Sequence, residues 1–320
     1  MTYSKNLAVI GCGYWGKNLA RNFAQLGALK AVVDPNTEVA KIQAEANGVI
    51  SMTLDEALAD PEINAVAIAA PAELHKDLTL KALKAGKHVY VEKPLALSVA
   101  DGKVMRDAAQ NAGLKLMVGH LLQYHPIFAV LRDKVQSGEL GKLRYVYSHR
   151  LSMGKFRLEE DVFWSFAPHD ISMILSLFEH EPVEVRGGGL DFITSGITDE
   201  CRIDMIFKEG ARAHIFVSWL HPFKEQRLVV VGDKSMAVFD DTQEWAQKLA
   251  LYNHSIDTSD IVPKPIKSQA VYVDVPHDEP LKSECAHFLD AIINDTTPFT
   301  NAEEALRVLR VLEKPCLPKG

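Results

Sequence analysis

The sequence predicts an α/β protein with two domains: an N-terminal doubly wound parallel sheet, then an α+β domain with an open, mostly antiparallel sheet. The chain has 320 residues, which is too long for one ordinary core. From residue 5 to about 121, short apolar runs alternate with helix-period stretches, as in βαβ units. After Gly119 strand-like runs recur with one further helix, as in antiparallel sheets. We therefore expect domains at residues 1–121 and 122–320.

The first domain is expected to contain five strands and five helices in alternation. The predicted strands are Leu7–Ile10, Lys30–Asp34, Ala65–Ala69, His88–Glu92 and Lys115–Val118. The predicted helices are Gly16–Gln25, Thr37–Ala46, Leu54–Ala59, Leu74–Ala85 and Val99–Asn111. Four of these helices are followed by a glycine, which commonly ends a helix in the left-handed conformation, at Gly27, Gly48, Gly86 and Gly113.

The second domain is expected to begin with a helix, Ile127–Gln136, followed by six or so strands. In Ala211–Trp219 the residues Ala213, Ile215, Val217 and Trp219 share one face, and only Phe216 breaks the alternation. The other predicted strands are Leu143–His149, Val183–Leu190, Cys201–Phe207, Arg227–Val231 and Met236–Phe239. An open sheet of this kind has an apolar face to cover, so we expect a homodimer or homotetramer formed by sheet packing.

Composition excludes several classes of protein. The net charge of −7 argues against a nucleic-acid binder, because phosphate contacts need clustered cations. The four cysteines are too scattered for a disulfide framework or a metal pair. No apolar run is long enough to cross a membrane, and the N-terminus lacks the pattern of a signal peptide. We therefore expect a cytoplasmic protein without a catalytic metal or a membrane partner.

A glycine motif follows the first predicted strand directly. Gly11, Gly13 and Gly16 form GxGxxG at the start of a helix, where they permit a tight turn, the approach of a pyrophosphate and close helix packing. The helix N-terminus can then bind phosphate. This context predicts a Rossmann domain that binds a dinucleotide, and we count Tyr14 and Trp15 of the same turn among the cofactor contacts.

Asp34 ends the next predicted strand, at the separation of about 20 residues expected for the acid that binds the adenosine ribose hydroxyls. A carboxylate there repels a 2′-phosphate, so NAD is expected in preference to NADP. The alternative is a loop acid that only caps the following segment.

Two further segments contain candidate catalytic side chains. Lys93 follows the apolar strand HVYVE, at the sheet end where open α/β sheets bind ligands, and could donate to a hydroxyl or alkoxide. The alternative is a surface lysine before a turn proline. Pro168 suits the first turn of a helix, so we expect His169 at a helix N-terminus, where the dipole keeps the imidazole neutral and able to accept a proton. The alternative is a capping or core histidine.

The stretch AAPAELHKDLTLKALKAGKHVYVEKPLALS resembles the signature of the glucose-fructose oxidoreductase/inositol dehydrogenase (Gfo/Idh/MocA) family. The resemblance covers essentially the whole chain and implies the two-domain fold above. It implies that Lys93 lies between nicotinamide and substrate, and that FWSFAPHDISMIL supplies the second catalytic residue, His169. Many relatives carry Asp four residues before that histidine, where this chain has Ser165. The remaining expected cofactor contacts are Pro71, His75, Glu92 and Gln123.

The combination YSHRL, GKFR and FWSFAPHDIS resembles the branch of the family that oxidises nucleotide-activated amino sugars at C3. This implies oxidation of UDP-N-acetylglucosamine in cell-surface glycan or lipid A type biosynthesis. Expected substrate contacts, besides the catalytic pair, are Arg150, Lys155, Arg157 and Trp164. The three cations would face a diphosphate; the alternative is ordinary solvated charge.

Other functions stay open at this stage. Within the family they are a UDP-N-acetylglucosaminuronate 3-dehydrogenase, a free sugar or inositol dehydrogenase, and a 3-keto-sugar reductase. A non-catalytic NAD-binding regulator is the alternative from another class.

Asp34 leads to a prediction about cofactor preference. NAD should bind more tightly than NADP by at least about tenfold, or about 1.4 kcal/mol, because the carboxylate repels a 2′-phosphate. Asp34→Ser should narrow this gap. Dissociation constants from calorimetry check the prediction, and equal constants for the two dinucleotides would contradict it.

Overall fold

The computed structural model describes residues 3–157 and 160–314, which form two compact units. The first unit contains the described residues up to Tyr124 together with Glu279–Leu309. The second contains His125–Asp278 and the described residues from Arg310 onward. The expected boundary after residue 121 lies close to Tyr124. The second unit is smaller than the expected 122–320 domain, because Glu279–Leu309 belongs to the first unit.

The first unit is built on a six-stranded sheet with parallel pairing throughout. Its strands are β1 Leu7–Ile10, β2 Leu29–Val33, β3 Ile50–Ser51, β4 Ala65–Ile68, β5 His88–Glu92 and β6 Leu116–Gly119. The helices between them are α1 Gly16–Gln25, α2 Thr37–Asn47, α3 Leu54–Ala59, α4 His75–Lys84 and α5 Val99–Ala112. The strand order β3-β2-β1-β4-β5-β6 confirms the predicted doubly wound sheet. Among the described strands of this sheet, only the two-residue β3 was not predicted.

The second unit is built on an eight-stranded sheet in the order β16-β13-β12-β11-β7-β10-β9-β8. Its helices are α6 Pro126–Gln136 and α7 Val162–Leu177. Its strands are β7 Leu143–Met153, β8 Glu184–Leu190, β9 Glu200–Ile206, β10 Arg212–Ser218, β11 Leu220–Gly232, β12 Met236–Asp240, β13 Leu249–Tyr252 and β16 Val271–Tyr272. A separate hairpin pairs β14 Ser255–Asp257 with β15 Lys264–Ile266. Only β7 and β10 run parallel, so the expectation of a mostly antiparallel sheet is confirmed.

The two faces of this second sheet differ as the alternation in β10 predicts. Ala213, Ile215 and Val217 are buried, and α7 packs against β10. The side chains that alternate with them include His214, which stacks on Tyr147 of β7 with ring centroids 5.3 Å apart and remains partly exposed. Homo-oligomerisation through the open face of the sheet stays a prediction.

Two C-terminal helices, α8 Pro280–Ile293 and α9 Ala302–Leu312, were not predicted. The apolar side of α8 joins the core of the first unit, where Phe288 packs edge-on against Tyr90 of β5 with ring centroids 5.9 Å apart. At the start of α8, Glu279 forms a salt bridge with Arg21 of α1. Within the described residues, no helix is long and apolar enough to cross a membrane.

Candidate active site

The glycine turn between β1 and α1 has two positions that exclude a side chain. Gly11 has a φ of 86°, and a Cβ there would lie 2.8 Å from the Ala69 carbonyl oxygen. A Cβ on Gly16 would lie 1.8 Å from the carbonyl oxygen of Gly11. The turn therefore needs glycine at both positions to bring α1 against the sheet.

Gly13 differs from these two positions. A Cβ built there meets no atom within 4 Å, so the space above this backbone is open. The N-cap residue of α1, Trp15, makes no side-chain capping bond, so no side chain covers the N-terminus of this helix, where an anion can bind. Tyr14 beside it is 86% exposed. Open space above Gly13 and an uncapped helix N-terminus fit a dinucleotide pyrophosphate.

Asp34 follows β2 and bonds to the glycine turn. Its Oδ2 accepts from the Cys12 amide and its Oδ1 from the Asn36 amide, both at 2.8 Å. A carboxylate offers about four acceptor positions, so these bonds still leave capacity for ribose hydroxyls. The structure thus gives Asp34 a role in the turn, and ribose binding stays a prediction.

Glu92 links the glycine turn to Lys93 at the carboxyl end of β5. The indole nitrogen of Trp15 donates to Glu92 Oε1 at 2.6 Å, and the Lys93 amide donates to Oε2 at 3.3 Å. Burial raises the pKa of Glu92, while the Trp15 bond and the Lys93 charge oppose that rise. Trp15 and Glu92, both predicted cofactor contacts, are therefore joined by a hydrogen bond.

His75 is buried, with both ring nitrogens beside backbone carbonyl oxygens. It is 1% exposed, and its ring nitrogens lie 2.7 Å from the Pro94 carbonyl oxygen and 2.9 Å from that of Ala70. Burial lowers its pKa, although two carbonyl acceptors favour the doubly protonated ring. Both nitrogens thus contact protein carbonyls, one of them in the turn that follows Lys93. Direct contact of His75 with the cofactor stays a prediction.

The other two predicted cofactor contacts lie in loops that follow strands of the same sheet. Pro71 precedes the 3₁₀ turn Ala72–Leu74, after β4. Gln123 is buried in the 3₁₀ turn Leu121–Tyr124, after β6. Both follow the carboxyl ends of their strands, where a doubly wound sheet binds ligands, and their contact with the cofactor stays a prediction.

His169 lies in the middle of the 16-residue helix α7, so its expected place at a helix N-terminus is wrong. The helix begins earlier because the side chain of Asp161 caps it, accepting from the Trp164 amide at 2.9 Å. Pro168 is then an interior proline. The dipole argument for a neutral His169 therefore no longer applies.

Ser165, one turn before His169, bonds to a carboxylate. Its hydroxyl donates to Glu160 Oε1 at 3.2 Å, and the same oxygen pairs with Arg157 at 2.5 Å. Trp164, a predicted substrate contact, is partly exposed on the same helix. Glu160 was not predicted from the sequence, because it lies five residues before the serine, outside the i, i+4 spacing of one helical face.

The three cations expected to bind a diphosphate have different surroundings. Arg150 makes two bonds, of 2.6 and 3.2 Å, to the buried carboxylate of Asp170, which also accepts from the Ser148 hydroxyl at 2.5 Å. The expected role of Arg150 as a phosphate-binding cation is therefore not supported, because its charge is neutralised. Arg157 is paired but remains partly exposed, and Lys155 is exposed.

The structure distributes these residues between the two units. The glycine turn, Asp34, Glu92 and Lys93 belong to the first, and Arg150, Trp164 and His169 to the second. Across residues 3–157 and 160–314, no group of three His, Cys, Asp or Glu side chains could hold a metal ion.

A glycine cradle at a helix N-terminus, with an acid after the next strand, defines a dinucleotide-binding Rossmann protein. Residues 5–120 match the family model described as "Oxidoreductase family, NAD-binding Rossmann fold", and residues 128–238 match the "GFO/IDH/MocA C-terminal domain". The chain belongs to the GFO/IDH/MocA family of oxidoreductases, and its cofactor is NAD.

Similar proteins are named for different substrates. The chain is 30% identical over 303 residues to UDP-N-acetylglucosamine 3-dehydrogenase of Acidithiobacillus ferrooxidans, covering 94% of this chain and 93% of the relative. It is 27% identical over 327 residues to scyllo-inositol 2-dehydrogenase (NAD(+)) of Bacillus subtilis, covering 97% and 93%. The solved structure of the Acidithiobacillus enzyme matches with a TM-score of 0.85 at 27% identity, covering 97% of this chain and 96% of that chain.

The open space above Gly13 leads to a prediction. Gly13→Ala should preserve the fold, because the methyl group meets no protein atom. It should weaken NAD binding by roughly tenfold or more, because the methyl group keeps the pyrophosphate from the helix amides. Thermal unfolding without NAD, and calorimetry with it, measure the two effects.

Gly188→Ala is the matched control, since an added Cβ there also meets no atom within 4 Å and the residue lies in β8 of the other unit. Wild-type NAD affinity in the Gly13 variant would contradict the assignment of the cradle.

Proposed function

We propose that this protein is an NAD-dependent dehydrogenase that oxidises the C3 hydroxyl of UDP-N-acetylglucosamine to the 3-keto sugar, in cell-surface glycan or lipid A type biosynthesis. The observation that carries the dehydrogenase part is the Trp15–Glu92–Lys93 connection, which ties the candidate catalytic lysine to the cofactor turn. The similarity to the Acidithiobacillus enzyme over 94% of the chain supports the choice of sugar.

The candidate catalytic residues divide the chemistry of alcohol oxidation between them. NAD, which the glycine turn and Asp34 would hold, would supply the acceptor for the hydride from C3. Lys93 donates a hydrogen bond to the C3 oxygen and stabilises the negative charge that develops on it. His169 accepts the hydroxyl proton, so that the C–H and O–H bonds break as the carbonyl forms.

The surroundings of each residue suit its role. Lys93 is partly buried at the end of β5, where its backbone is held by Glu92. His169 is partly buried on α7, one turn after Ser165, whose hydroxyl bonds to Glu160.

Recognition of the diphosphate is assigned to the segment after β7. Lys155 is exposed there, and Arg157 keeps part of its side chain exposed beside Glu160. A diphosphate that approaches Arg157 would compete with the Glu160 carboxylate for the guanidinium. Arg150 contributes indirectly, by fixing β7 to Asp170 of α7.

A second candidate is oxidation of a free polyol such as an inositol. The neutralisation of Arg150 favours it, because an uncharged polyol needs no cation cluster, and so does the similarity to the inositol dehydrogenase. A UDP-N-acetylglucosaminuronate dehydrogenase, a 3-keto-sugar reductase and a non-catalytic NAD-binding regulator remain outcomes of the test below.

The test is a substrate panel with purified protein and NAD, in which NADH absorbance is measured. UDP-N-acetylglucosamine should give the highest kcat/KM, and free N-acetylglucosamine should be poor because it lacks the diphosphate anchor. Better turnover of myo-inositol or scyllo-inositol would establish the second candidate. NAD binding without turnover of any alcohol or 3-keto sugar would establish the regulator.

Variants of the two candidate catalytic residues test the chemical step. His169→Ala should lower kcat by roughly 10²–10⁴-fold through loss of a general base. Lys93→Ala should lower it by roughly 10²–10³-fold through loss of a donor to the developing oxyanion. NAD affinity should be retained, because the pyrophosphate and ribose are assigned to other residues.

His180→Ala and Lys84→Ala are the matched controls, since both side chains are exposed and have no assigned role. Near-wild-type turnover of the His169 variant, with none for the Lys93 variant, would make Lys93 the only acid–base residue.

A further inference from the structure

Behind Lys93, two carboxyl groups contact one buried hydroxyl. The Tyr90 hydroxyl of β5 lies 3.0 Å from Glu284 Oε2 of α8 and 3.2 Å from Glu92 Oε1. Tyr90 and Glu284 are both fully buried. Glu92 is the residue that holds Trp15 and the Lys93 backbone, so this contact connects α8 to the candidate active site.

A count of protons constrains the charges of this trio. A tyrosine hydroxyl has one proton, so it can donate to only one of the two carboxyl groups. Two ionised carboxylates would compete for that single proton, whereas a protonated carboxyl group can donate to the hydroxyl oxygen. Both contacts become full hydrogen bonds when one of Glu92 and Glu284 carries a proton.

The surroundings of the two acids decide which one is protonated. Burial raises the pKa of Glu92, but this acid accepts from the Trp15 indole and the Lys93 amide, and the Lys93 charge favours its ionised form. Glu284 forms no ion pair among the described residues, and its Oε1 has no hydrogen-bond partner there. An ionised carboxylate in such a place would be costly, so the proton belongs to Glu284.

The other titratable groups around Glu284 act in the same direction. Glu92 of β5 and Glu304 of α9 are acids that oppose a second negative charge. Tyr124 of the turn before α6 and Cys285 of α8 also face Glu284, and neither can supply a positive charge. Burial is the largest cause of a Glu284 pKa well above its ordinary value.

We propose that Glu284 is a positioning residue that works as a neutral acid. It donates its proton to the Tyr90 oxygen, and Tyr90 donates its own proton to Glu92. Glu92 thereby stays ionised and oriented toward Trp15 and Lys93. The link to Lys93 rests on the proposed function, whereas the link to Trp15 rests on NAD binding alone.

The position of Gly119 is a separate observation that supports the hydrogen bonds from Glu284 through Tyr90 to Glu92. It ends β6 beside β5, and a Cβ there would lie 2.6 Å from the Tyr90 hydroxyl and 3.0 Å from Glu92 Oε1. Any side chain at this position would push the hydroxyl away from the carboxyl group. The contact between Tyr90 and Glu92 thus depends on a glycine in the neighbouring strand.

Infrared spectroscopy tests where the proton is. At neutral pH, wild-type protein should show a carbonyl stretching band of a protonated carboxylic acid that is missing in Glu284→Gln. The same band should persist in Glu45→Gln, a control at an exposed position on α2. A band lost in Glu92→Gln instead, or no such band in the wild type, would overturn the proposal.

The pH dependence of stability tests the same assignment without spectroscopy. A folded-state pKa above the unfolded value means that the unfolded chain releases a proton which the folded chain retains. Wild-type stability should therefore fall, relative to Glu284→Gln, as pH rises above the ordinary glutamate value of 4.5. The relative change in the folding equilibrium constant should approach about tenfold per pH unit. A constant difference from pH 4 to pH 8 would overturn the proposal.

NAD affinity tests the consequence for the cofactor turn. Glu284→Gln should bind NAD like the wild type, because its amide can donate to Tyr90 as the acid does. Tyr90→Phe should bind NAD roughly tenfold more weakly, because Glu92 loses a donor. Tyr3→Phe, which removes a hydroxyl bonded to Asp290, is the matched control. Unchanged affinity in Tyr90→Phe would overturn the proposal.

These measurements use no sugar, so they separate the two conclusions. A proton found on Glu284 in a protein that oxidises no sugar would contradict the proposed function alone. Turnover of UDP-N-acetylglucosamine without that proton would contradict only the inference about Glu284.

Discussion

The hydrogen bonds of the Glu92 carboxylate are the interactions on which the candidate site residues of the first unit depend. This carboxylate accepts from the indole of Trp15 at the start of α1 and from the amide of Lys93 at the end of β5. Trp15 and Glu92 are 77 residues apart in sequence but adjacent at the carboxyl edge of the sheet. One carboxyl group therefore bonds both to the turn that is expected to bind the pyrophosphate and to the backbone of the candidate catalytic lysine.

The C-terminal helix α8 makes that arrangement possible. Its return to the first unit places Glu284 behind Tyr90 and buries Phe288 against the same tyrosine ring. Burial of the Glu284 carboxyl group without a cation lowers the stability of the fold. Functional sites commonly keep such destabilising groups when they hold another side chain in one orientation. The helix thus serves the cofactor site although it lies more than 150 residues beyond it in sequence.

In the second unit, a buried ion pair between Arg150 and Asp170 joins the central strand β7 to α7. Removing one partner of such a pair costs about 3–5 kcal/mol, because the other charge is left buried and uncompensated. The pair therefore fixes the strand to the helix that carries His169. In the proposed function, recognition of the diphosphate is assigned to the exposed Lys155 and to Arg157, which lie beyond the end of β7.

The sequence by itself determined the features that depend on local chemistry. The spacing of Gly11, Gly13 and Gly16, the position of Asp34 and the alternation of strands and helices are properties of neighbouring residues, and they predicted the parallel sheet and its cofactor. Tertiary structure alone decided which partner each polar side chain met. Asp170 neutralised Arg150, two carbonyls enclosed His75, and Glu284 reached Tyr90 across 194 residues. Asp161 caps α7, so the helix begins earlier than predicted and His169 lies in its interior. Pro168 suggested a later helix start and so hid this local capping signal. Hydrogen bonds and ion pairs between distant segments leave no periodic pattern in the sequence, so only the folded chain shows which charges remain available for chemistry.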